Sequence, residues 1–457
     1  MEVTNEINKY IFRGYDIRGV HPTDINVDVA YTIGKSFGTY IKKFKKDKCV
    51  VGRDNRFSSP ELSDALIKGI LDTGIDVYNV GLVTTPMYYF ACLSLEIPSG
   101  VMVTASHNPK DDNGFKFAFD ERGNARGEMI EEFRDFTYEG RFDFGTGSLR
   151  NLDIKTSYVN FFKSSLDFGD RVVKAVLDLG NGTSSVVASE LYSSFPIELD
   201  ILFGESDPSF PNHHPDPCVE ANLKALKKRV KELKADVGIG IDGDGDRIGI
   251  IDELGNFIPI DKFMIIIIRD IIDTVEKKEF LYDVKCSKAV ADEIKKLKAK
   301  GICYRTGNSY TKAKILDDNL PFGGELSGHV YFNDRWPGFD SGLYAGLRLL
   351  EILSKTDKTV SQLLEGINEY HSTEELKFSS DDDKKFGIVD KIKEYCLKKK
   401  YEIIDIDGVR ANFDDGWALV RASNTGPNIT ARFEATTKER LEELQKEFID
   451  LIEKYNS

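Results

Sequence analysis

One pattern of residues occurs three times along the chain and constrains its fold more than any other feature. Each copy has a short apolar segment, a polar or glycine-containing turn and a segment with helical periodicity. The apolar segments begin at Cys49, Ala175 and Phe280. Strands that alternate with helices are typical of parallel sheets covered by helices, so the pattern predicts α/β layers. We expect three related α/β domains, each built on one copy.

The copies also predict where their helices lie. In the first, Ser58 and Glu61 have the spacing of a capping box, so a helix should begin near Ser58. In the second, an apolar helix should follow Thr183, and in the third a helix should run through Leu297.

The C-terminal part of the chain has a different pattern. Val409–Phe413 and Trp417–Arg421 alternate apolar and polar residues with period two, which is typical of half-buried antiparallel strands. A final helix is expected from about Lys438 to Tyr455. We therefore predict a fourth, smaller domain, and the four domains should occupy residues 1–151, 152–254, 255–368 and 369–457.

Charge and hydropathy exclude several classes of protein. The chain has 62 Lys and Arg against 76 Asp and Glu, a net charge of −14, which argues against a nucleic-acid partner. Its longest strongly apolar run, around Phe263–Ile268, is far shorter than the ~20 residues of a membrane span. The first ten residues lack the apolar core of a signal peptide, and the six cysteines form no CxxC pair. We expect a cytoplasmic protein with reduced thiols and no membrane partner.

The loop Thr104–Pro109 follows an apolar strand and places Ser106 on a turn where its hydroxyl can be exposed. An ordinary Ser/Asn turn with local hydrogen bonds is the alternative. His107 is the nearest base, but adjacent side chains rarely converge, so we expect no Ser106–His107 dyad. No GxSxG motif surrounds this serine, which argues against an α/β-hydrolase.

A second loop, Asp242–Arg247, alternates three aspartates with glycines. Glycines allow the backbone to fold tightly enough for the three carboxylates to converge. Ligands that are all oxygen select a hard cation such as Mg²⁺ or Ca²⁺. An EF-hand is disfavoured because Arg247 stands where its loop requires glycine, and a solvated acidic turn is the other alternative.

Two further loops suggest a phosphosugar ligand. Glu325 and Ser327 can face one side of an extended loop and bind neighbouring hydroxyls, and His329 can carry protons near neutral pH, although a structural histidine is the alternative. The loop that begins at Arg421 combines a fixed cation with the side chains of Ser423, Asn424 and Thr425. Such a loop suits a phosphate dianion, and an ordinary turn with one arginine is the alternative.

Each of the four loops falls in a different predicted domain. If they meet over a central cleft, they form one site with a serine, a metal triad, a group that recognises sugar hydroxyls and a phosphate clamp. The expected partner is therefore a small phosphosugar.

At this point the sequence resembles the α-D-phosphohexomutase superfamily, in particular its phosphomannomutase/phosphoglucomutase branch. Six motifs carry the resemblance and occur in order along nearly the whole chain. They are FRGYDIRG at Phe12–Gly19, TASHNP at Thr104–Pro109 with Lys116, DGDGDR at Asp242–Arg247, DVKC at Asp283–Cys286, GELSGH at Gly324–His329, and RASNTGPN at Arg421–Asn428 with RFEA at Arg432–Ala435.

The resemblance implies four domains around a central cleft, three related α/β domains and a C-terminal α+β domain like the TATA-binding protein. It implies an isomerase that interconverts hexose 1-phosphate and hexose 6-phosphate, with mannose or glucose as the sugar. Ser106 would carry a phosphoryl group and donate it to the 6-oxygen. The resulting hexose 1,6-bisphosphate, which also acts as activator, would turn over and return its 1-phosphate to Ser106.

The resemblance also implies a role for each site residue. Catalysis falls to Ser106, Lys116, Arg247 and His329. Magnesium would be held by Ser106, Asp242, Asp244 and Asp246. Substrate binding falls to Tyr15, Arg18, Lys285, Glu325, Ser327, Arg421, Ser423, Asn424 and Thr425.

Other functions stay open at this stage. A phosphoglucosamine mutase is the nearest alternative, although Leu326 and the Arg421–Asn424 segment are closer to the mannose/glucose branch. A magnesium-dependent sugar phosphatase and a non-catalytic sugar-phosphate binding protein are the others. Asn308 stands where many members of the branch carry histidine, which leaves the sugar preference open, and the expected assembly is a monomer or homodimer.

Overall fold

The computed structural model describes residues 2–381, 383–423 and 426–456. It contains α-helices and four β-sheets, three of them with parallel strand pairs and one antiparallel. Within the described residues, no helix is both long and apolar enough to cross a membrane.

The first sheet has six strands. They are β1 Ile17–Val20, β2 Lys48–Arg53, β3 Asp76–Leu82, β4 Gly100–Val103, β5 Asp112–Ala118 and β6 Leu149–Asn151, in the order β1-β5-β4-β2-β3-β6. Its helices are α1 Val27–Ile41, α2 Ser59–Leu71, α3 Thr85–Ser94 and α4 Glu128–Glu139. Because β2 and β4 are parallel neighbours, the loops that follow them lie at the same edge of the sheet.

The second sheet has five strands. They are β7 Val173–Asp178, β8 Ile197–Leu202, β9 Val237–Ile241, β10 Ile248–Asp252 and β11 Phe257–Ile258, in the order β11-β10-β9-β7-β8. The helices of this region are α5 Lys155–Ser165, α6 Ala188–Tyr192 and α7 Lys224–Leu233. Strands β9 and β10 are fully buried and antiparallel, and the loop between them carries the three aspartates.

The third region runs from residue 260 to residue 363. Its strands are β12 Glu279–Asp283, β13 Lys300–Tyr304, β14 Phe322–Gly324 and β15 Val330–Phe332. Its helices are α8 Ile260–Ile271, α9 Lys288–Lys296, α10 Asn308–Asp317, α11 Gly342–Ser354 and α12 Val360–Leu363. Strand β12 pairs in parallel with β13 and β14.

The C-terminal region is an antiparallel sheet with two helices. Its strands are β16 His371–Ser372, β17 Leu376–Ser379, β18 Glu402–Ile404, β19 Val409–Phe413, β20 Gly416–Ala422 and β21 Asn428–Ala435. Its helices are α13 Lys385–Lys398 and α14 Lys438–Asn456, which bury Ile392 and Phe448 against the sheet. These sheets confirm the predicted α/β class with an α+β region at the C-terminal end.

The chain forms two compact units. The first contains residues 1–260, 312–319 and 327–363, and the second contains residues 261–311, 320–326 and 364–457. The four domain ranges read from the sequence stay a prediction.

Helix α2 begins next to Ser58, as predicted, but two local details were wrong. Ser58 makes no side-chain capping bond at the start of α2, and its hydroxyl instead accepts a hydrogen bond of 2.8 Å from Asn113 Nδ2. The apolar helix expected after Thr183 is a 3₁₀ turn over Thr183–Val186 followed by the five residues of α6. Its Ser and Val residues have low helix propensity, which favours such an interruption.

Candidate active site

Three buried carboxylates form the centre of the candidate site. Asp242, Asp244 and Asp246 lie on the loop between β9 and β10, and each side chain offers an oxygen within 4.8 Å of the others. Gly243 allows this loop to approach the serine loop, because a Cβ there would lie 2.7 Å from the Ser106 carbonyl oxygen. Gly245 has φ +84°, a backbone conformation that side chains other than glycine rarely adopt.

The carboxylates have only part of their hydrogen-bonding capacity satisfied. Lys116 Nζ donates to Asp244 Oδ2 at 2.9 Å and to Asp246 Oδ2 at 2.6 Å, and Thr85 Oγ1 donates to Asp244 Oδ2 at 2.6 Å. The Oδ1 atoms of Asp244 and Asp246 are buried without a hydrogen-bond partner. Buried oxygens of this kind are costly unless a cation binds them, so the donor set fits a divalent metal.

The pKa values of the three acids reflect their crowding. Burial raises the pKa of Asp242 and of Asp246, and the charges of the neighbouring aspartates raise both further. Burial also acts to raise the pKa of Asp244, but the Lys116 ammonium and the hydrogen bonds to this carboxylate, including the one from Thr85, together hold that pKa below its usual range. Burial alone would lower the pKa of Lys116, yet Asp244 and Asp246 raise it well above its usual value, so Lys116 is a fixed cation.

Ser106 faces this cluster from the turn after β4. Its Oγ donates to Asp242 Oδ2 at 3.2 Å, and its φ of +55° is uncommon for a residue other than glycine. In this conformation Ser106 Oγ also lies 3.3 Å from His107 Nδ1, although the sequence predicted that the two side chains would not converge. Burial, with the charges of Arg247 and Arg18, lowers the pKa of His107 well below its usual value, so that imidazole is neutral.

Arg56 holds the serine loop and was not identified from the sequence. The arginine is buried, and its Nη2 donates to the carbonyl oxygens of Ser106 at 2.8 Å and Asn108 at 2.7 Å. Its Nη1 donates to the carbonyl oxygens of Pro109 and Asp112. The position of Arg56 directly after β2 was the available signal, since β2 and β4 end at the same edge.

Arg18 reaches the same loop from β1. Its Nη1 donates to Asn108 Oδ1 at 2.9 Å, and its Nε pairs with Asp16 at 2.7 Å. Tyr15 lies just before β1 in the same unit. Both residues were predicted to bind substrate, and the structure places Arg18 against the serine loop.

Arg247 and His329 form a hydrogen-bonded pair beside the carboxylates. Arg247 Nε donates to His329 Nε2 at 3.0 Å, and His329 Nδ1 lies 2.7 Å from Asp340 Oδ2. This pattern assigns the proton to Nδ1, so the imidazole is neutral and Nε2 is its acceptor. Asp340, which lies eleven residues beyond His329 and holds its ring, was missed because nothing local in the sequence pointed to it.

Asp246, His329 and Asp340 also form a second buried group with metal-ligand spacing. The bond between His329 Nδ1 and Asp340 occupies the histidine nitrogen that faces the two carboxylates. The Asp242, Asp244 and Asp246 group is therefore the better metal candidate.

Ser327, which was predicted to bind sugar, also lies in the first unit. Its backbone carbonyl oxygen accepts a hydrogen bond from Cys218 Sγ.

The second unit contains other predicted ligand-binding residues. Glu325 is buried and accepts hydrogen bonds from Thr311 Oγ1 at 2.6 Å and from the backbone N–H of Gly307 at 3.3 Å. Asn308, the departure from the branch pattern, is buried at the start of α10. The contacts with Gly307 and Thr311 place Glu325 beside the first turn of α10, where Asn308 lies.

The Lys285 loop is fixed by arginines of the C-terminal sheet. Arg410 Nη1 donates to the Val284 and Cys286 carbonyl oxygens at 2.7 Å and 3.1 Å, and Arg432 Nη1 donates to the Lys285 carbonyl oxygen at 2.6 Å. Lys285 Nζ lies 3.4 Å from Glu375 Oε2. Neither Arg410 nor Arg432 was predicted to support the site, although Arg432 belongs to the last motif of the resemblance.

Arg421 lies at the end of β20 and is largely buried. Its Nη2 pairs with Asp407 at 2.9 Å, and its Nε is buried without a hydrogen-bond partner. Lys385 Nζ donates to the Ser423 carbonyl oxygen at 2.7 Å, which adds a second cation that the sequence did not indicate. The predicted residues Asn424 and Thr425 lie outside the described residues.

Comparison with known families gives four matches in chain order. Four sequence-family models of phosphoglucomutase/phosphomannomutase, one for each domain, match the chain. The alpha/beta/alpha domain I matches residues 9–142, domain II residues 156–255, domain III residues 259–370 and the C-terminal domain residues 375–451.

Comparison with individual proteins gives matches over the full length. A phosphomannomutase/phosphoglucomutase of Pseudomonas aeruginosa is 37% identical over 448 residues, which is 98% of this chain and 96% of that protein. A phosphoglucomutase of Neisseria gonorrhoeae is 38% identical over 98% of this chain and 97% of its own length. The crystal structure of a phosphoglucomutase/phosphomannomutase family protein from Burkholderia thailandensis has a TM-score of 0.91 at 37% identity, covering 98% of both chains.

Proposed function

We propose a phosphoserine mechanism for this chain, which belongs to the phosphoglucomutase/phosphomannomutase family and interconverts hexose 1-phosphates and hexose 6-phosphates. The observation that carries the proposal is the placement of Ser106 Oγ 3.2 Å from a buried triad of aspartates with unsatisfied oxygens. A serine in this position can carry a phosphoryl group whose oxygens complete the coordination of a cation.

Asp242, Asp244 and Asp246 would hold Mg²⁺ together with an oxygen of phosphorylated Ser106. When bound, the ion spreads the negative charge that develops on the phosphoryl group during transfer. Lys116 contributes a fixed positive charge to the same place. Its ammonium donates hydrogen bonds to Asp244 and Asp246 and stabilises charge beside the phosphoryl group.

The phosphoryl group passes between Ser106 Oγ and an oxygen of the sugar. In the first half-reaction its bond to Ser106 Oγ breaks as a bond to the 6-oxygen of a hexose 1-phosphate forms, which gives the hexose 1,6-bisphosphate. In the second, Ser106 Oγ accepts the 1-phosphoryl group, and a hexose 6-phosphate is released. The bisphosphate is also the activator, because it can rephosphorylate a free Ser106.

Each half-reaction needs a group that accepts a hydroxyl proton. His329 is the best candidate, since Asp340 fixes its ring through Nδ1 and Nε2, which accepts from Arg247 Nε, can take the proton when that bond opens. Arg247 is not a base, because nearby carboxylates, including Asp216 and Asp242, raise its pKa further against the effect of burial. It stabilises charge beside the phosphoryl group.

Recognition of the substrate is assigned to residues of both units. Glu325 and Ser327 would bind sugar hydroxyls, and Arg421 with Ser423 would hold the phosphate that does not react. Tyr15, Arg18 and Lys285 would contact the ligand as well. Glucose and mannose are the proposed sugars, and a cytoplasmic location and a monomer or homodimer stay predictions.

Ser106→Ala tests the mechanism directly. The variant should lose turnover by several orders of magnitude, because it lacks the hydroxyl that carries the phosphoryl group, and its melting temperature should stay close to that of the wild type. After incubation with glucose 1,6-bisphosphate, intact-mass analysis should show one added phosphoryl group on the wild type and none on the variant.

A matched control is Ser157→Ala, which removes an exposed hydroxyl from α5 and should change neither property. Peptide mapping that places the phosphoryl group on another residue would contradict the proposal. Coupled assays with glucose, mannose and glucosamine 1-phosphates should then show turnover of the first two.

A further inference from the structure

A cavity that contains none of the proposed site residues lies in the first unit. It has a volume of about 450 Å³ and is lined by α3, by the segment that follows β5, and by Lys312 and Phe339. This volume is sufficient for a small ring-shaped ligand.

One wall of the cavity is aromatic. The rings of Tyr88 and Tyr89 have centroids 5.5 Å apart, and those of Tyr89 and Phe339 have centroids 5.7 Å apart. Aromatic faces at these distances favour a planar apolar ring as ligand, since such a ring can stack or pack edge-on against them.

Lys312 is the cation that lines this cavity, and its contacts are neutral. Its Nζ lies 3.3 Å from the centre of the Tyr89 ring and donates to Asn124 Oδ1 at 3.2 Å. Across the described ranges, no carboxylate oxygen forms an ion pair with this nitrogen. The amine is therefore held by an amide oxygen and a ring face, and when it loses its proton no ion pair has to be broken.

Acidic side chains also line the cavity and limit the charge of a ligand. Glu96, Asp120 and Glu121 are all lining residues. Asp120 pairs with Arg122 at 2.7 Å, and Glu121 pairs with Lys46. The charges that remain in the lining are those of Glu96 and the Lys312 ammonium, which balance each other, so a neutral ligand fits best.

The surroundings of Lys312 make it a better nucleophile than an ordinary lysine. Burial lowers its pKa to about 8. The charge of Lys116 acts in the same direction, and those of Asp340, Cys92 and Asp246 oppose it. A larger share of the amine is therefore neutral near pH 7, and only the neutral amine attacks a carbonyl carbon.

We propose that this cavity binds a neutral aromatic aldehyde and that Lys312 forms an imine with its carbonyl carbon. The nitrogen lone pair forms the C–N bond as the carbonyl π electrons move to oxygen. A proton moves from nitrogen to that oxygen, water leaves, and the C=N bond forms. Amine and aldehyde thus give imine and water, with no change of oxidation state.

Labelling of the full-length protein with benzaldehyde tests the proposal. Sodium cyanoborohydride traps an imine as a stable benzylamine, and peptide mapping locates it. Lys312 should be labelled about tenfold faster than the exposed Lys228, since each unit of pKa changes the neutral fraction about tenfold and lower basicity offsets part of the gain. Lys312→Arg should remove this adduct, and Lys228→Arg should leave it unchanged.

Two further measurements separate the cavity from simple amine reactivity. Leu93→Trp places a large ring in the cavity and should slow labelling of Lys312 about tenfold while Lys228 reacts as before. Benzyl alcohol, a neutral ring without a carbonyl, should also slow labelling of the wild type, and benzoate should not. Labelling of Lys312 no faster than that of Lys228, or no effect of benzyl alcohol on it, would overturn the proposal.

Discussion

At the scale of single residues, the carboxylate triad depends on a balance of buried charge. Two of the three carboxylates, Asp244 and Asp246, share one ammonium, and one oxygen of each has no hydrogen-bond partner. Asp244 is the member that contacts both Lys116 and Thr85. A change at Asp244 therefore affects the metal ligand and the fixed cation together.

Asp244→Asn should lower kcat by on the order of a hundredfold to a thousandfold, because loss of one charged ligand costs several kcal/mol of transition-state stabilisation. The magnesium concentration needed for half-maximal activity should rise as well. Steady-state rates across a magnesium titration measure both. Asp207→Asn, in a loop outside the site, is the control, and full activity of the wild type in excess chelator would remove the metal from the mechanism.

At the scale of secondary-structure elements, the sequence predicted strands better than it predicted the contacts between them. Strand β19 begins and ends where its alternating pattern predicted, and an apolar strand, β4, precedes the serine loop as expected. Ser58 does not cap α2 with its side chain; its hydroxyl accepts a hydrogen bond from Asn113, which lies 55 residues further along the chain. Arg56 and Asp340 were missed for the same reason, since long-range pairing leaves no local pattern in a single sequence.

Arg56 connects the end of β2 to the serine loop after β4, so its loss should loosen that loop. Arg56→Met removes hydrogen bonds to four carbonyl oxygens and should lower kcat about tenfold to a hundredfold, with little change in KM. Arg56→Lys should recover part of the rate, because it restores one donor. Thermal melting of both variants shows whether the fold is retained.

Arg134→Met, which removes an arginine from the exposed face of α4, should leave kcat unchanged. If Arg56→Met instead raised KM and kept kcat, the arginine would serve substrate binding and not the position of Ser106.

At the scale of the whole chain, the groups of the proposed mechanism are divided between two units. The first unit carries Ser106, the triad and His329, and the second carries Glu325, Lys285 and Arg421. The sequence identified nearly all of these from six short motifs, because each motif is local. The relation between the motifs could not be read from spacing, since consecutive motifs are separated by up to about 130 residues.

Arg421 is the residue that tests whether one clamp serves both orientations of the sugar. Asp407 fixes one end of the Arg421 guanidinium, and Nε of Arg421 has no hydrogen-bond partner. The forked guanidinium can therefore donate two hydrogen bonds to a phosphate. Arg421→Lys keeps the charge but loses the fork. We expect KM for glucose 1-phosphate and for glucose 6-phosphate to rise alike, about tenfold to a hundredfold. A rise of this size corresponds to the free energy of one hydrogen bond to a charged group.

Phosphorylation of Ser106 by glucose 1,6-bisphosphate at saturating concentration should still reach one group per chain in Arg421→Lys, because the transfer chemistry belongs to the first unit. Arg440→Lys, a change on α14 at an exposed ion pair, is the matched control and should leave both KM values as they are. Steady-state kinetics in the two directions measure the effect. A rise in KM for only one of the two isomers would mean that Arg421 holds the sugar in one orientation, and that a different residue anchors the phosphate after the bisphosphate has turned.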